Sequence, residues 1–197
     1  MTPIETIINT IKDNTKSVLQ HLEYPNTPGL YAFSLANGTK LKGFGESGQI
    51  IYVGKAEDSL RQRDLNTHYI DGRTGSSTLR RSIGAILKTE FEATAFSRNE
   101  TLDKPNIDNY KFDTKAEKKL SKWMKANLLI GYWKYDKAIE SELLKDIEEL
   151  LIIALKPTLD LDKRTRKYNI HAASLTDLRQ ICKDEATLNV VNGIEYF

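Results

Sequence analysis

The chain has 197 residues, 40% of them apolar and 9% aromatic, which is enough to bury a core and argues against a disordered polymer. Its formal charge of +2 neither demands nor excludes a polyanionic partner, because affinity for nucleic acid depends on where cations cluster. A single cysteine, Cys182, excludes an internal disulfide and a cysteine-rich zinc site.

Residues 2–21 interleave Glu5, Lys12, Asp13 and Lys16 with apolar residues, so no run approaches the roughly 20 needed to cross a bilayer. A cytoplasmic protein with no signal peptide and no membrane partner is expected. Ile4, Ile7, Ile8, Ile11, Val18 and Leu19 recur at helical spacing and predict an opening helix, ended by the turn signal of Pro25, Asn26, Thr27, Pro28 and Gly29. Residues 30–35 and 50–53 read as two short strands around a loop rich in Gly and Lys, a hairpin. Asp58 or Ser59 can cap a helix that runs to about residue 69. A short helix over 76–88, capped at Ser76 or Ser77, precedes a polar loop over 98–112 that contains Pro105. A helix over 114–125 and a third strand over 128–135, rich in strand formers, come next. A long helix from about 137 to 155 is stopped by Pro157, and Ser174 to Asp177 resembles a capping box that opens a last helix. These elements make an α+β fold: a small three-stranded sheet, mixed or antiparallel, flanked by helices.

Helix periodicity separates two adjacent carboxylates. Glu148 shares a side with Leu144, Leu151, Ile152 and Leu155, within or beside the apolar face, whereas Glu149 aligns with Lys145 and Glu142 on a solvated one. A carboxylate at an apolar margin needs a cation, a metal, a hydrogen-bond donor or a path to water. Two basic runs stand out: Arg73, Arg80 and Arg81 with Lys88 and no carboxylate between, and Lys163, Arg164, Arg166 and Lys167 after Glu148. Either can follow phosphates or form a solvated face.

Gly29-Leu30-Tyr31 and Tyr52-Val53-Gly54 resemble the two halves of the GIY-YIG nuclease signature, each at a strand position. Tyr52 to Ala56 with Leu60-Arg61-Gln62-Arg63 is most similar to the excision-repair incision nucleases of that family, and Glu148 to Ile152 with Lys156-Pro157 is similar to its glutamate motif. The resemblance covers residues 29–69 and 142–160. It implies one nuclease domain over 1–197, with a core at 28–70 and 127–162, a helical insertion at 71–126, an N-terminal helix at 2–21 and a helical tail at 170–197.

By the same resemblance, Glu148 would hold one Mg²⁺ or Mn²⁺ that binds the scissile phosphate, since hard ions prefer oxygen and keep several waters. Tyr31 would orient or deprotonate the attacking water, helped by Tyr52 and by Lys55, whose ammonium can lower a phenol's pKa. Arg63 would fork onto a phosphate oxygen, with Arg61 as the alternative because one extra residue precedes the pair. Where relatives place His or Tyr four residues after that arginine, this chain has Thr67; His68 lies one further, about 140° around an ideal helix from Arg63, and Tyr69 is its substitute. Asp160 replaces the family's asparagine and would put a second carboxylate near the site. The insertion resembles that of GIY-YIG restriction endonucleases, and Arg73, Ser76, Ser77, Arg80 and Arg81 with Arg61 are its expected DNA contacts. The implied activity is restriction-type cleavage of double-stranded DNA in defence against foreign DNA, with a homodimer as a way to bring two active sites. A structure-specific repair nuclease and a catalytically silent DNA-binding module are the alternatives.

Overall fold

The computed structural model describes residues 2–21, 23–135 and 140–197. They divide into two compact units, the first made of residues 1–66 and 125–172, the second of 67–124 and 173–197.

In the first unit α1 (Pro3–Asp13) is opened by a reciprocal capping box between Thr2 and Glu5. Contrary to the sequence expectation, this helix does not continue through Val18 and Leu19. Asn14 ends it, its side chain bonding the carbonyls of Thr10 and Tyr132, and Thr15 Oγ1 bonds the Ile11 carbonyl. The chain then forms β1 (Lys16–Ser17), and Leu19 is exposed. Next come β2 (Gly29–Leu35), β3 (Ile50–Ala56) and, after α2 (Leu60–Arg63), a π-helical turn over Asp64–His68. The later part supplies β6 (Leu128–Lys134) and α7 (Ser141–Leu155). The expected start of that long helix, near residue 137, lies outside the described residues.

The sheet has four strands in the order β1-β6-β2-β3 and every pairing is antiparallel, which corrects the three-stranded expectation. The added strand is the two-residue β1, too short to carry a periodicity signal. β2 is central and buried along its length. Alternation sends Leu30, Ala32 and Val53 to one face, where Ile7 and Ile11 of α1 and Leu144, Leu151 and Ile152 of α7 cover them. Each of the Leu, Ile and Val side chains buried here contributes about 1.5–3 kcal/mol. Tyr31, Phe33, Tyr52 and Gly54 occupy the other face.

The second unit holds α3 (Thr78–Ile86), α4 (Lys88–Phe91), β4 (Ala95–Phe96), α5 (Lys104–Asp108), β5 (Lys111–Phe112), most of α6 (Thr114–Asn127) and most of α8 (Ala172–Val191). β4 and β5 pair as a second, two-stranded sheet, so the stretch expected to be a polar loop carries both a short helix and a strand. Ser77 caps α3 by accepting from Arg80 N at 3.1 Å, and α8 begins at Ala172, ahead of the expected capping box. No described helix is long and apolar enough to cross a membrane.

Gly131 of β6 is where α1 comes closest to the sheet: a Cβ there would stand 2.1 Å from the Ile11 carbonyl oxygen, a backbone atom that cannot swing aside. Gly131→Ala is expected to lower stability by about 1–3 kcal/mol, measured by urea unfolding, through displacement of α1.

Candidate functional site

On the phenol face of the sheet, the Tyr31 and Tyr52 rings lie 6.4 Å apart at 31°, and Phe33 meets Tyr31 edge-on at 5.8 Å. Tyr31 pairs in register with Gly54, and a Cβ on Gly54 would fall 2.4 Å from the Tyr31 hydroxyl. The glycine of the Tyr-Val-Gly triplet is therefore what lets the phenol lie across β3. Ser59 caps α2 by accepting from Gln62 N, and buried Leu60 seats that helix close to Gly29. This seating brings Arg63 to Tyr31, where its Nε donates to the hydroxyl at 3.4 Å. Arg61 is exposed, so of the two candidate arginines Arg63 is the one that joins the phenol.

Asp64, which the sequence did not single out, is fully buried next to Arg63. Its Oδ2 accepts from the Tyr24 hydroxyl at 2.5 Å, and its Oδ1 is buried with no hydrogen-bond partner among the described residues. Burial pushes the Asp64 carboxyl well above the usual range, against the Tyr24 bond and the Arg63 charge. Burial also pushes the Tyr31 phenol well above its ordinary value; Tyr52 and Asp64 add to the rise and Arg63 opposes it. The expectation that Lys55 lowers this phenol is thus replaced: the opposing cation is Arg63, and Tyr31 stays protonated.

A second group gathers where α7 crosses β3. Glu148 sits one helical turn from Leu144, Leu151 and Ile152, all buried, and burial raises its carboxyl to about 7, against the charges of Lys55 and Arg164. Lys55 pairs with Glu57, which also accepts from Ser141 Oγ at 2.8 Å, so the end of β3 is tied to the first residue of α7. Past α7 the chain runs along the outer edge of β3. There Leu159 N bonds the Ile51 carbonyl at 2.8 Å and Asp160 Oδ2 accepts from Val53 N at 3.0 Å. Asn169 steadies this segment through the carbonyls of Thr158 and Asp160. Buried Asp160 has its carboxyl pushed well above the usual range by desolvation, which the Val53 bond partly offsets. The second carboxylate expected near the site is within range of the Glu148 charge, and it also satisfies an edge-strand N–H.

Tyr52 and Gly54 on one side of β3 and Val53 and Lys55 on the other make that strand common to both groups. Among the described residues no group of three or more His, Cys, Asp and Glu could hold a metal ion. Glu148 offers a lone carboxylate, the kind of oxygen ligand through which hard divalent ions such as Mg²⁺ bind while keeping water and substrate oxygens.

Several expected contacts lie inside the second unit. Arg80 is fully buried and spends every donor internally: on Thr74 Oγ1, the His68 carbonyl, Ser121 Oγ, and the Glu117 carbonyl and carboxylate, the last at 2.6 Å. Glu117 accepts in turn from Gly72 N and Phe112 N. Arg81 bonds the carbonyls of Thr74 and Gly75, and Ser77 is the buried cap of α3, its Oγ 2.7 Å from His68 Nδ1. Arg80, Arg81 and Ser77 are therefore not surface contacts for DNA, a correction forced by their burial. Arg73 is exposed and Ser76 half-buried. His68 and Tyr69 are buried in this unit. The π-helical turn that ends at His68 takes one residue more than an α-helical turn, which is the offset between Thr67 and His68.

A family model described as the GIY-YIG catalytic domain matches residues 30–181. No curated protein and no solved structure gave a match to the chain.

Two substitutions test the site through stability. Tyr24→Phe removes the hydroxyl that donates to buried Asp64 Oδ2 and is expected to cost about 1–3 kcal/mol in urea unfolding. Asp160→Asn keeps an acceptor for Val53 N and removes the buried charge. Because the folded carboxyl is raised, its contribution to stability is present in full below the unfolded value and is lost as pH rises towards the folded one. The variant's Tm should exceed wild type's at pH 8, and the gap should close towards pH 4.

Proposed function

The chain belongs to the GIY-YIG catalytic domain family, a family of nucleases, and from that premise we propose that it is a metal-dependent DNA endonuclease of the restriction type, acting on double strands. The observation that carries the reading is Glu148, a carboxylate whose charge is held at an apolar margin beside Lys55 at a cost that raises its pKa to about 7. Such a group gains when a divalent cation arrives. Glu148 would hold one Mg²⁺ or Mn²⁺, with water and a substrate phosphate completing the shell. When bound, the ion supplies charge neutralisation at the scissile phosphate and the leaving oxygen.

This chain's own groups divide the remaining work. Arg63 offers its fixed fork to a phosphate oxygen, and its bond to Tyr31 sets the direction of the phenol. Tyr31, kept protonated by burial, orients an attacking water by hydrogen bonding and does not take its proton at neutral pH. Tyr52 flanks it and fixes its ring. On the first unit, exposed Arg61 is available to the DNA backbone, and on the second unit Arg73. Cutting both strands with one site per protomer calls for a homodimer.

Purified protein incubated with plasmid and phage DNA and Mg²⁺ or Mn²⁺ should give discrete duplex fragments, and Glu148→Ala should slow cleavage by on the order of 10³-fold. Below pH 7, where Glu148 takes up its proton, the rate at subsaturating metal should fall about tenfold per pH unit. Undiminished cleavage by Glu148→Ala would sink the mechanism. A panel of intact duplex, flap, bubble and single-stranded oligonucleotides tests the substrate class: cutting confined to branched substrates would make it a structure-specific repair nuclease.

A further inference from the structure

Arg164 is a cation that the proposed chemistry leaves unused. In the sequence it belongs to a basic run suited to a polyanion, yet in the fold its guanidinium is spent on carboxylates. Nε and Nη2 fork onto Asp162 at 3.0 and 3.1 Å, and Nη1 donates to Glu149 Oε2 at 3.2 Å and to the Lys145 carbonyl at 3.5 Å. Nη2 also stands 3.6 Å from Glu148 Oε2.

By these distances Asp162 and Glu149 are the anchors, and the Glu148 contact is the loosest, beyond hydrogen-bond range. Glu148 can therefore turn to another cation without untying Arg164. Arg164, held by two other acids, stays beside Glu148 whatever Glu148 binds. A divalent ion on that carboxylate would lie within a few ångströms of a fixed positive charge, and although Arg164 is 28% exposed, the Glu148 side chain it faces is only 13% exposed, so solvent screens the pair only in part. The other cation acting on Glu148 is Lys55, which is already committed to Glu57.

Resting on the reading of Glu148 as the metal ligand, we propose that Arg164 is a fixed internal competitor for that carboxylate, neutralising it in the metal-free protein and weakening its hold on a divalent ion. The guanidinium thereby limits uptake of metal in the absence of substrate.

The probe is Mn²⁺ alone, titrated calorimetrically into the full chain without DNA at pH 8, where Glu148 is ionised. Arg164→Gln, which removes the charge and keeps a polar side chain, should tighten Mn²⁺ binding about tenfold. Arg164→Lys, which keeps the charge and loses the fork, should stay within about twofold of wild type. A purely structural arginine predicts instead that both variants lower Tm and neither changes the Mn²⁺ affinity, and that result overturns the proposal. A measurement on wild type guards against a variant that does not fold. The side-chain ¹⁵N signal of Arg164 should move in step with Mg²⁺ occupancy, and an unmoved signal at saturating Mg²⁺ counts against the competitor. Glu148→Gln separates the two readings. If it binds Mn²⁺ as wild type does, the metal-ligand reading itself fails; if it loses Mn²⁺ while Arg164→Gln binds like wild type, only the competitor fails.

Discussion

Leu144, Leu151 and Ile152 can be buried together only if α7 lies along β2 and β3, and that packing dictates where Glu148 must stand. One turn from all three, its carboxylate is drawn to the rim of an apolar contact, where solvation is too poor to hold its charge at ordinary cost. Lys55 from the strand and Arg164 from the segment beyond the helix compensate, the arginine anchored by Asp162 and Glu149, while the charges of Asp162 and Glu57 work against it. The tie from Glu57 to Ser141 and the run of residues 159–160 along β3 hold helix and strand in register from both ends. The acid's chemistry is thus a by-product of hydrophobic packing that ordinary helix periodicity makes unavoidable.

The phenol side follows a different logic, that of close approach. Tyr31 lies across β3 because Gly54 has no side chain, and α2 reaches the sheet because Leu60 sits over Gly29. Small residues here are geometric conditions for two large ones to meet. Arg63 then lies beside a buried phenol and a buried acid, and exclusion from water pushes the pKa of both upward. The guanidinium between them stays charged at any accessible pH.

Much of this was legible in the chain. The two glycine-tyrosine triplets, the helix cap at Ser59, the apolar stripe around Glu148 and the stop at Pro157 each rest on local rules; the strands and the end of the long helix formed within a few residues of their expected bounds, while the α-helix capped by Ser59 stopped at Arg63 and passed into a π-helical turn. The failures share a cause. β1 is two residues long and owes its existence to β6, β5 pairs with β4 from within a polar stretch, and Asp64 acquires its meaning only when Tyr24, forty positions away, delivers a hydroxyl. Such features are set by tertiary partners, and no window of sequence contains them. The sign of the error on Tyr31 is similar: a neighbouring ammonium was visible in the sequence, whereas complete burial was not.

The basic run at Arg80 and Arg81 shows why charge counted along a chain misleads about charge on a surface. Arg80 has five donors and all find acceptors within the second unit, because Glu117, Ser121, Thr74 and the His68 carbonyl converge on it from separate segments. Removing water from an arginine is tolerable only with that degree of satisfaction, and a half-satisfied version would be worse than an apolar core. Glu117 is equally committed, with both oxygens also accepting from backbone N–H groups at Gly72 and Phe112. A guanidinium so enclosed fixes how the segments of the unit meet, and it has nothing left to offer a phosphate. The same residue type at Arg63 is half-buried, and its bond to the Tyr31 phenol is a long 3.4 Å. Enclosure, not sequence neighbourhood, is what separates these two arginines.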